Sequence, residues 1–184
     1  MGDLLDRVHA VDEAIEKRLE RYRSPALDRL FYGLSSAADH GMLWHGLGAL
    51  RALRAHDPRF ALRFSAALGV ESATTNGLVK SLFRRVRPPE HFTHGDPLPY
   101  RMRRPITSSF PSGHAATAFM SAIILSKGRR GARWYFALAA VVAASRVYTR
   151  MHHTSDVVAG AALGLVLGKV MEPRVNQDTR VRVP

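Results

Sequence analysis

Polar and apolar positions along the chain fall into helical stripes punctuated by proline, glycine and capping residues. Between residues 4 and 22, Leu4, Leu5, Val8, Val11, Ile15 and Leu19 share one stripe with charges opposite. That pattern predicts an amphipathic helix lying on a membrane surface or on the rest of the domain. Ser24-Pro25 reads as a cap followed by proline at the first helical position, so a second helix starts there, and Asp39-His40-Gly41 ends it. A third run covers 42–54 and breaks at His56-Asp57-Pro58. A long helix is expected over 59–81, a proline-rich stretch without periodicity follows, and three apolar helices are expected over 112–126, 133–150 and 154–170. From Glu172 onward the chain is polar and is expected to fray. Nothing alternates as a strand would. The pattern therefore predicts an all-α helical bundle in a single domain, 1–184. Within it, 1–23 form an amphipathic interfacial helix, 24–170 the bundle with an active-site loop at 82–111, and 171–184 a polar tail.

Length and composition narrow this picture. The 184 residues suit one domain with one core. The absence of cysteine excludes disulfides, thiol catalysis and Cys-ligated zinc. Lys and Arg outnumber Asp and Glu by 27 to 15, a formal charge of +12, which implies anionic partners: nucleic acid, an anionic lipid surface or a phosphorylated substrate. Residues 1–22 are charged throughout, so no cleavable signal peptide is expected.

The apolar runs Ala115–Leu125, Trp134–Ala144 and Val157–Leu167 are each shorter than the ~20 residues of a bilayer span. Buried helices of a soluble all-α enzyme would look alike. Two features favour the membrane. The helices are rich in Gly, Ala and Ser, which allow close approach between membrane helices. The basic residues also sort by side if the bundle has six transmembrane helices with both termini together. One side then takes Lys17, Arg18, Arg21, Arg23, Arg51, Arg54, Arg59, Lys127, Arg129, Arg130, Arg133, Lys169 and Arg174. By the positive-inside rule the termini are cytoplasmic, and the turns at 39–41 and 146–153 and the 82–111 loop face outward.

Three segments at that outward face carry the chemistry: Lys80 to Pro88 (KSLFRRVRP), Pro111-Ser112-Gly113-His114, and Ser145 to Asp156 (SRVYTRMHHTSD). Singly each has a plain structural reading: a snorkelling lysine, an N-cap serine, an i,i+4 His–Asp pair tying a turn. Together they describe a phosphate site. Lys80, Arg87 and Arg146 supply cations, and guanidinium forks suit bidentate phosphate binding. The N–H groups of Ser112 and Gly113 open a helix whose dipole favours an anion, and Gly113 permits close backbone approach. His152 is the candidate nucleophile, with Asp156 holding its Nδ1–H, and His114 the candidate acid that protonates the departing oxygen and later activates water.

These segments match the tripartite signature of the type 2 phosphatidic acid phosphatase superfamily: Lys-x6-Arg-Pro, Pro-Ser-Gly-His and Ser-Arg-x5-His-x3-Asp. The resemblance covers roughly residues 65–165; the first 60 residues carry no motif of the family. It implies Lys80, Arg87 and Arg146 as phosphate ligands and Ser112 and Gly113 as oxyanion donors. It further implies His114 as the acid, His152 as a nucleophile that becomes phosphohistidine, and Asp156 as its partner. The implied function is metal-independent hydrolysis of a membrane lipid phosphate with no cofactor, and six spans with the site near one membrane face. The chain is similar to short bacterial members acting on polyprenyl carriers at the cytoplasmic membrane, so a polyprenyl phosphate or diphosphate is the first expectation, with phosphatidate-type lipids next.

Several rivals compete. A metal site would draw on His114, His152, His153 and Asp156, but three neighbouring cations would repel a divalent ion. Nucleic-acid binding lacks a basic groove and an aromatic platform, so no nucleic-acid partner is expected. A soluble acid phosphatase and a vanadium-dependent haloperoxidase share the site residues. Outside the signature, Glu71 is expected on the helix face opposite Lys80, nine positions away. Asn76 is expected on the lysine's face, where it would orient that side chain. Trp44, Trp134 and Tyr135 fall near helix ends, as interfacial or core aromatics.

Overall fold

The computed structural model describes residues 2–89, 105–128 and 132–177. Seven α-helices form among them: α1 (Gly2–Glu20), α2 (Pro25–Ala37), α3 (Met42–Ala55), α4 (Pro58–Ser72), α5 (Gly113–Ser126), α6 (Ala132–Tyr148) and α7 (Thr154–Val175). A 3₁₀ turn, Asp39–Gly41, joins α2 to α3, and a π-helical segment, Ala73–Val79, prolongs α4. No strand occurs among the described residues. The starts follow local chemistry. Ser24 Oγ accepts from Leu27 N, Asp57 Oδ1 from Phe60 N, and Ser112 Oγ from Ala115 N, each satisfying an orphan first-turn donor. Proline follows the first two caps.

Helix α5 is central and packs on both α6 and α7. Its approach to α7 depends on small residues: a Cβ on Gly160 would lie 2.3 Å from Ser112 O, and one on Gly164 would lie 2.2 Å from Ala116 O. Close approach of this kind is what small residues permit between membrane helices. The main core gathers Trp44, Phe60, Phe64, Leu68, Met120 and Ile124 from α3, α4 and α5. Trp44 is thus a core residue, while Trp134 is exposed.

The way the helices run corrects the span count. Helices α3 to α7 each link the two ends of the bundle. Arg51 of α3 bonds Ile124 O at the end of α5, and Arg63 of α4 bonds Val175 O at the end of α7, so these termini share one end. The opposite end gathers Asp39, Lys80, His114, Arg146 and His152. Helix α2 has both its termini there: Asp28 accepts from Tyr148 OH, Ser35 meets Arg146, and Asp39 meets His114. It lies across that end instead of running away from it. Five helices, not six, therefore run the bundle's length. Thr154–Val175 is the one described helix long and apolar enough by itself to cross a membrane.

Helix α1 also belongs to the site end, with its faces reversed from the simplest reading. Its polar Asp12 and Glu16 are buried, while Leu4, Leu5 and Val11 are exposed. Glu16 and Glu20 bond Arg150, and Arg23 bonds Tyr148 O. Lys17, Arg18, Arg21 and Arg23 thus move to the end that carries the motifs, away from the far end where the sequence sorting put them. The far end keeps the end of α7, so α1 and the end of α7 lie at opposite ends of the bundle. With basic residues crowded at both ends, charge sorting no longer distinguishes them. Helix α7 also continues past the expected end to Val175, because Arg63 bonds Val175 O and Asn176 bonds Arg51 and Ile124 O.

Candidate active site

A cavity of about 760 Å³ opens where α3, α4, α5 and α6 meet at the site end. Its wall includes Lys80, Arg87, Gly113, His114, Arg146 and His152. Six of the eight residues singled out in the sequence therefore converge on one space. Ser112 and Asp156, both fully buried, stand behind the wall.

His152 sits in the turn between α6 and α7 and is 2% exposed. Its Nδ1 lies 2.7 Å from the Ser109 carbonyl and 3.8 Å from Asp156 Oδ2. A carbonyl only accepts, so Nδ1 carries the proton and the neutral ring presents its Nε2 lone pair. Burial pushes His152 down to about 3, which keeps the ring neutral at ordinary pH. Nε2 lies 3.4 Å from Arg87 Nη1. The group expected to hold Nδ1 was Asp156, and a backbone carbonyl stands closer. Asp156 Oδ2 instead accepts from His153 N, and Oδ1 accepts from Arg85 at 2.6 Å.

Arg85, which the sequence reading passed over, joins this side of the site together. It donates to Asp156, to Ser155 Oγ and to Asp12 Oδ2 at 2.7 Å. Asp12 also accepts from Ser155 N and Ser155 Oγ. The polar face of α1 is thereby bonded to the first turn of α7. One turn on, Glu16 meets His153 Nδ1 at 2.8 Å, while His153 Nε2 faces Val86 O. His153 thus turns away from the cavity, and the four-residue set considered for a metal does not converge.

The three cations differ in what they hold. Arg87 is a strap: it donates to Pro105 O, Thr107 O, Ser108 O and, at 2.5 Å, Met151 O. Arg146 is buried, meets Ser35 Oγ through Nη1, and leaves Nε without a protein acceptor. Lys80 is half-buried on the wall. Buried cationic N–H groups of this sort suit an anion, which returns the hydrogen bonds and charge they lack.

Ser112 has a different task from the one expected. Its N–H donates to Asp156 O at 3.0 Å, which ties the second motif to the third, and its hydroxyl accepts from Ala115 N and caps α5. Gly113 does reach the cavity, and the Asn76 amide presses on it; a Cβ there would come within 2.6 Å of Asn76 Oδ1. Asn76 donates to Ser72 Oγ, and so braces Gly113 where the sequence suggested it would orient Lys80.

Glu71 and Lys80 line the same cavity. The π-helical segment between them has i→i+5 bonding and more residues per turn than the 3.6 of an α-helix. Lys80 therefore comes round late, onto the face of Glu71. Glu71 Oε2 accepts from Thr117 Oγ1 at 2.5 Å. On the far wall, Asp39 Oδ1 lies 2.9 Å from His114 Nε2. Its carboxyl is held below the usual range: burial raises it, but the His114 contact and charge outweigh that. His91, His94, Tyr100, Arg101, Arg103 and Arg104, expected to cover the entrance, lie outside the described residues.

Residues 60–179 match the family model of the PAP2 superfamily. The chain belongs to that superfamily. Among curated relatives, a Mycobacterium tuberculosis (H37Rv) decaprenylphosphoryl-5-phosphoribose phosphatase is 29% identical over 140 residues, covering 76% of each chain. A lipid A 1-phosphatase of Porphyromonas gingivalis is 39% identical over 69 residues, 34% of this chain and 15% of that one. In fold, the chain resembles the transmembrane PAP2-type phosphatidylglycerolphosphate phosphatase of Bacillus subtilis. The TM-score is 0.73 at 24% identity, covering 96% of this chain and 90% of that one. Aquifex aeolicus LpxE gives 0.67 at 25% identity, covering 86% and 92%. The superfamily model begins at α4, so α1 to α3, which supply Asp12, Glu16 and Asp39, lie outside it.

Proposed function

We propose that this PAP2-superfamily protein is an integral membrane phosphatase that hydrolyses a lipid phosphate through a phosphohistidine at His152. The observation that carries the reading is the convergence of a neutral, oriented His152, a second histidine and the cations Lys80 and Arg146 on one cavity. The lone pair of Nε2 forms a bond to phosphorus while the bond to the ester oxygen breaks. That oxygen takes its electron pair and a proton from His114, and the lipid alcohol departs. Water then attacks phosphorus, giving a proton to His114, and the P–N bond returns its electrons to Nε2. Lys80, Arg146 and the N–H end of α5 at Gly113 face the oxygens on which charge builds. Arg87 holds the 105–108 segment against the nucleophile's turn.

A lipid-facing exterior supports the membrane reading. Leu50, Leu53, Leu62, Val70, Val141, Val158, Val166 and Val170 are exposed along α3 to α7. Such an apolar belt on the outside of a bundle suits acyl chains, not water. Five spanning helices, with α1 and α2 resting on the interface, fit the geometry; Leu4, Leu5 and Val11 would dip into it. A cavity of about 760 Å³ accepts more than a phosphate, so a head group enters with it. A polyprenyl phosphate or diphosphate remains the first choice, in keeping with the mycobacterial relative's decaprenyl substrate, and phosphatidate-type lipids come second.

The test is phosphate release from a panel of lipid phosphates in detergent, in excess chelator, with His152→Ala as the blank. Release that is abolished in the blank, and acid-labile labelling of wild type by ³²P-substrate, are expected. Wild-type turnover by the blank would overturn the reading. Release from the membrane in a carbonate wash would overturn the membrane assignment.

A further inference from the structure

The candidate acid His114 has a carboxylate partner that no signature motif contains. We propose that Asp39 is a positioning residue for His114: its carboxylate sits against Nε2, favours the proton on that nitrogen, and leaves Nδ1 as the nitrogen that gives and takes the proton. The inference rests on the phosphatase reading above and names a further residue of its machinery.

Asp39 Oδ1 lies 2.9 Å from His114 Nε2, a close charge contact without the alignment of a hydrogen bond, and both residues line the cavity. The backbone that presents Asp39 is unusual. After it come His40 at φ 52° and Gly41 at φ 71°, two successive left-handed residues that fold the chain sharply into α3. A non-glycine residue in that region is uncommon and costs conformational energy. The carboxylate therefore enters the cavity on a tight turn instead of a flexible loop.

The chemistry calls for such a partner. His114 must hold a proton until the ester oxygen needs it, yet its surroundings are largely cationic. Lys80 and Arg87 face it from the first motif and Arg146 from α6, beside the neutral His152 of the turn after α6, His40 of the α2–α3 turn and His45 of α3. Among the described residues lining this cavity, Asp39 and Glu71 are the acids, and Glu71 is bonded to Thr117. Asp39 alone of the two touches the His114 ring. A carboxylate at that distance favours the charged imidazole and fixes which nitrogen carries the resident proton. After the oxygen takes the Nδ1 proton, the ring is left neutral as the Nε2–H tautomer, with the Asp39 carboxylate still against that nitrogen. Nδ1 is then free to accept the proton of the attacking water. Asp39 keeps its charge throughout.

The experiment measures kcat and KM against pH for wild type, Asp39→Asn, Asp39→Glu, His114→Ala and His114→Ala/Asp39→Asn, using a short-chain lipid phosphate in detergent. Asp39→Asn is expected to lower kcat about 10- to 100-fold, within the range a general acid contributes, with KM changed less than about twofold. The alkaline limb of kcat should move down by about one pH unit, because the proton is held less firmly without the carboxylate. Asp39→Glu should recover part of the rate and return the limb toward its wild-type place. In the His114→Ala background Asp39→Asn should cost nothing further. An unmoved limb, or an undiminished loss in that background, would overturn the proposal, as would a rise in KM alone. If Asp39→Asn fails to fold, Asp39→Glu decides: a wild-type limb supports the pairing, and a displaced limb with no gain of rate sinks it. Wild-type protein that releases no phosphate indicts the phosphatase reading instead.

Discussion

The two histidines of the cavity are held in opposite ways. His152 is enclosed: its ring is 3% exposed, Asp156 is fully buried, and the Ser109 carbonyl that fixes its tautomer is inaccessible. Behind it, Arg85, Asp12, Ser155 and Asp156 form a closed hydrogen-bonded set that joins α1 to α7. His114 has one carboxylate, on a turn, with 41% of the Asp39 side chain exposed. In the proposed mechanism His152 attacks along a fixed line, which its over-determined orientation serves. His114 exchanges protons with water in that mechanism, which a partner close to solvent serves. Rigidity and access are divided between the two sides of one cavity.

The sharpest way to break this contrast is to remove the nucleophile. His152→Ala should lower phosphate release by at least about 10³-fold with the fold intact, since a nucleophile's partners contribute little without it. Measured beside it, His114→Ala should retain more activity, with the loss easing for substrates whose alcohol is a good leaving group.

Next in size is stability on the enclosed side. Arg85→Met leaves Asp12 and Asp156 facing each other without their shared cation. The cost of an uncompensated buried charge is about 3–5 kcal/mol, read by denaturation in detergent. Asp39→Asn, on the open side, should cost under about 1 kcal/mol, as half-exposed pairs do. Equal losses would erase the distinction drawn above.

Two pH effects follow from the turn between α6 and α7. His152 is held below its unfolded value, so it contributes stability that is present above about pH 6.5 and is lost as pH falls toward 3. His152→Asn should therefore flatten the fall in Tm on the acid side. His153 goes the other way. Burial lowers it, but the hydrogen bond and charge of Glu16 prevail and the net shift is upward. Its contribution is complete below about pH 6.5 and fades as pH rises through the folded value. Glu16→Gln should thus lower Tm at pH 6 and matter least at pH 9, the smallest effect of the series.

What was legible in the sequence was whatever is fixed by local spacing. The capped helix starts at Ser24, Asp57 and Ser112 follow from short-range pattern, and the gathering of Lys80, Arg87, Gly113, His114, Arg146 and His152 from three motifs that the family resemblance joins. Three things escaped because their cause is tertiary. The amphipathic stripe of residues 4–22 shows that α1 has two faces, but not that Arg85, Arg150 and Ser155 would draw the polar one inward. Asp39 lies 75 positions from His114, with no motif to join them. The six-helix count took α2 as a span, although it has 13 residues and carries Asp28 and Arg29, and its bonds at both termini show that it lies across the bundle's end.

The π-helical segment before Lys80 has a consequence for how such a site is tuned. A wide turn is what one surplus residue leaves in an α-helix, and it re-phases everything after it while leaving everything before it in place. In this chain that single shift carries a cation from the outer face of the helix to the cavity without disturbing Phe64, Leu68 or Glu71 upstream. Shortening the helix by one residue at that segment would therefore withdraw Lys80 from the cavity while the side chains that precede it keep their faces.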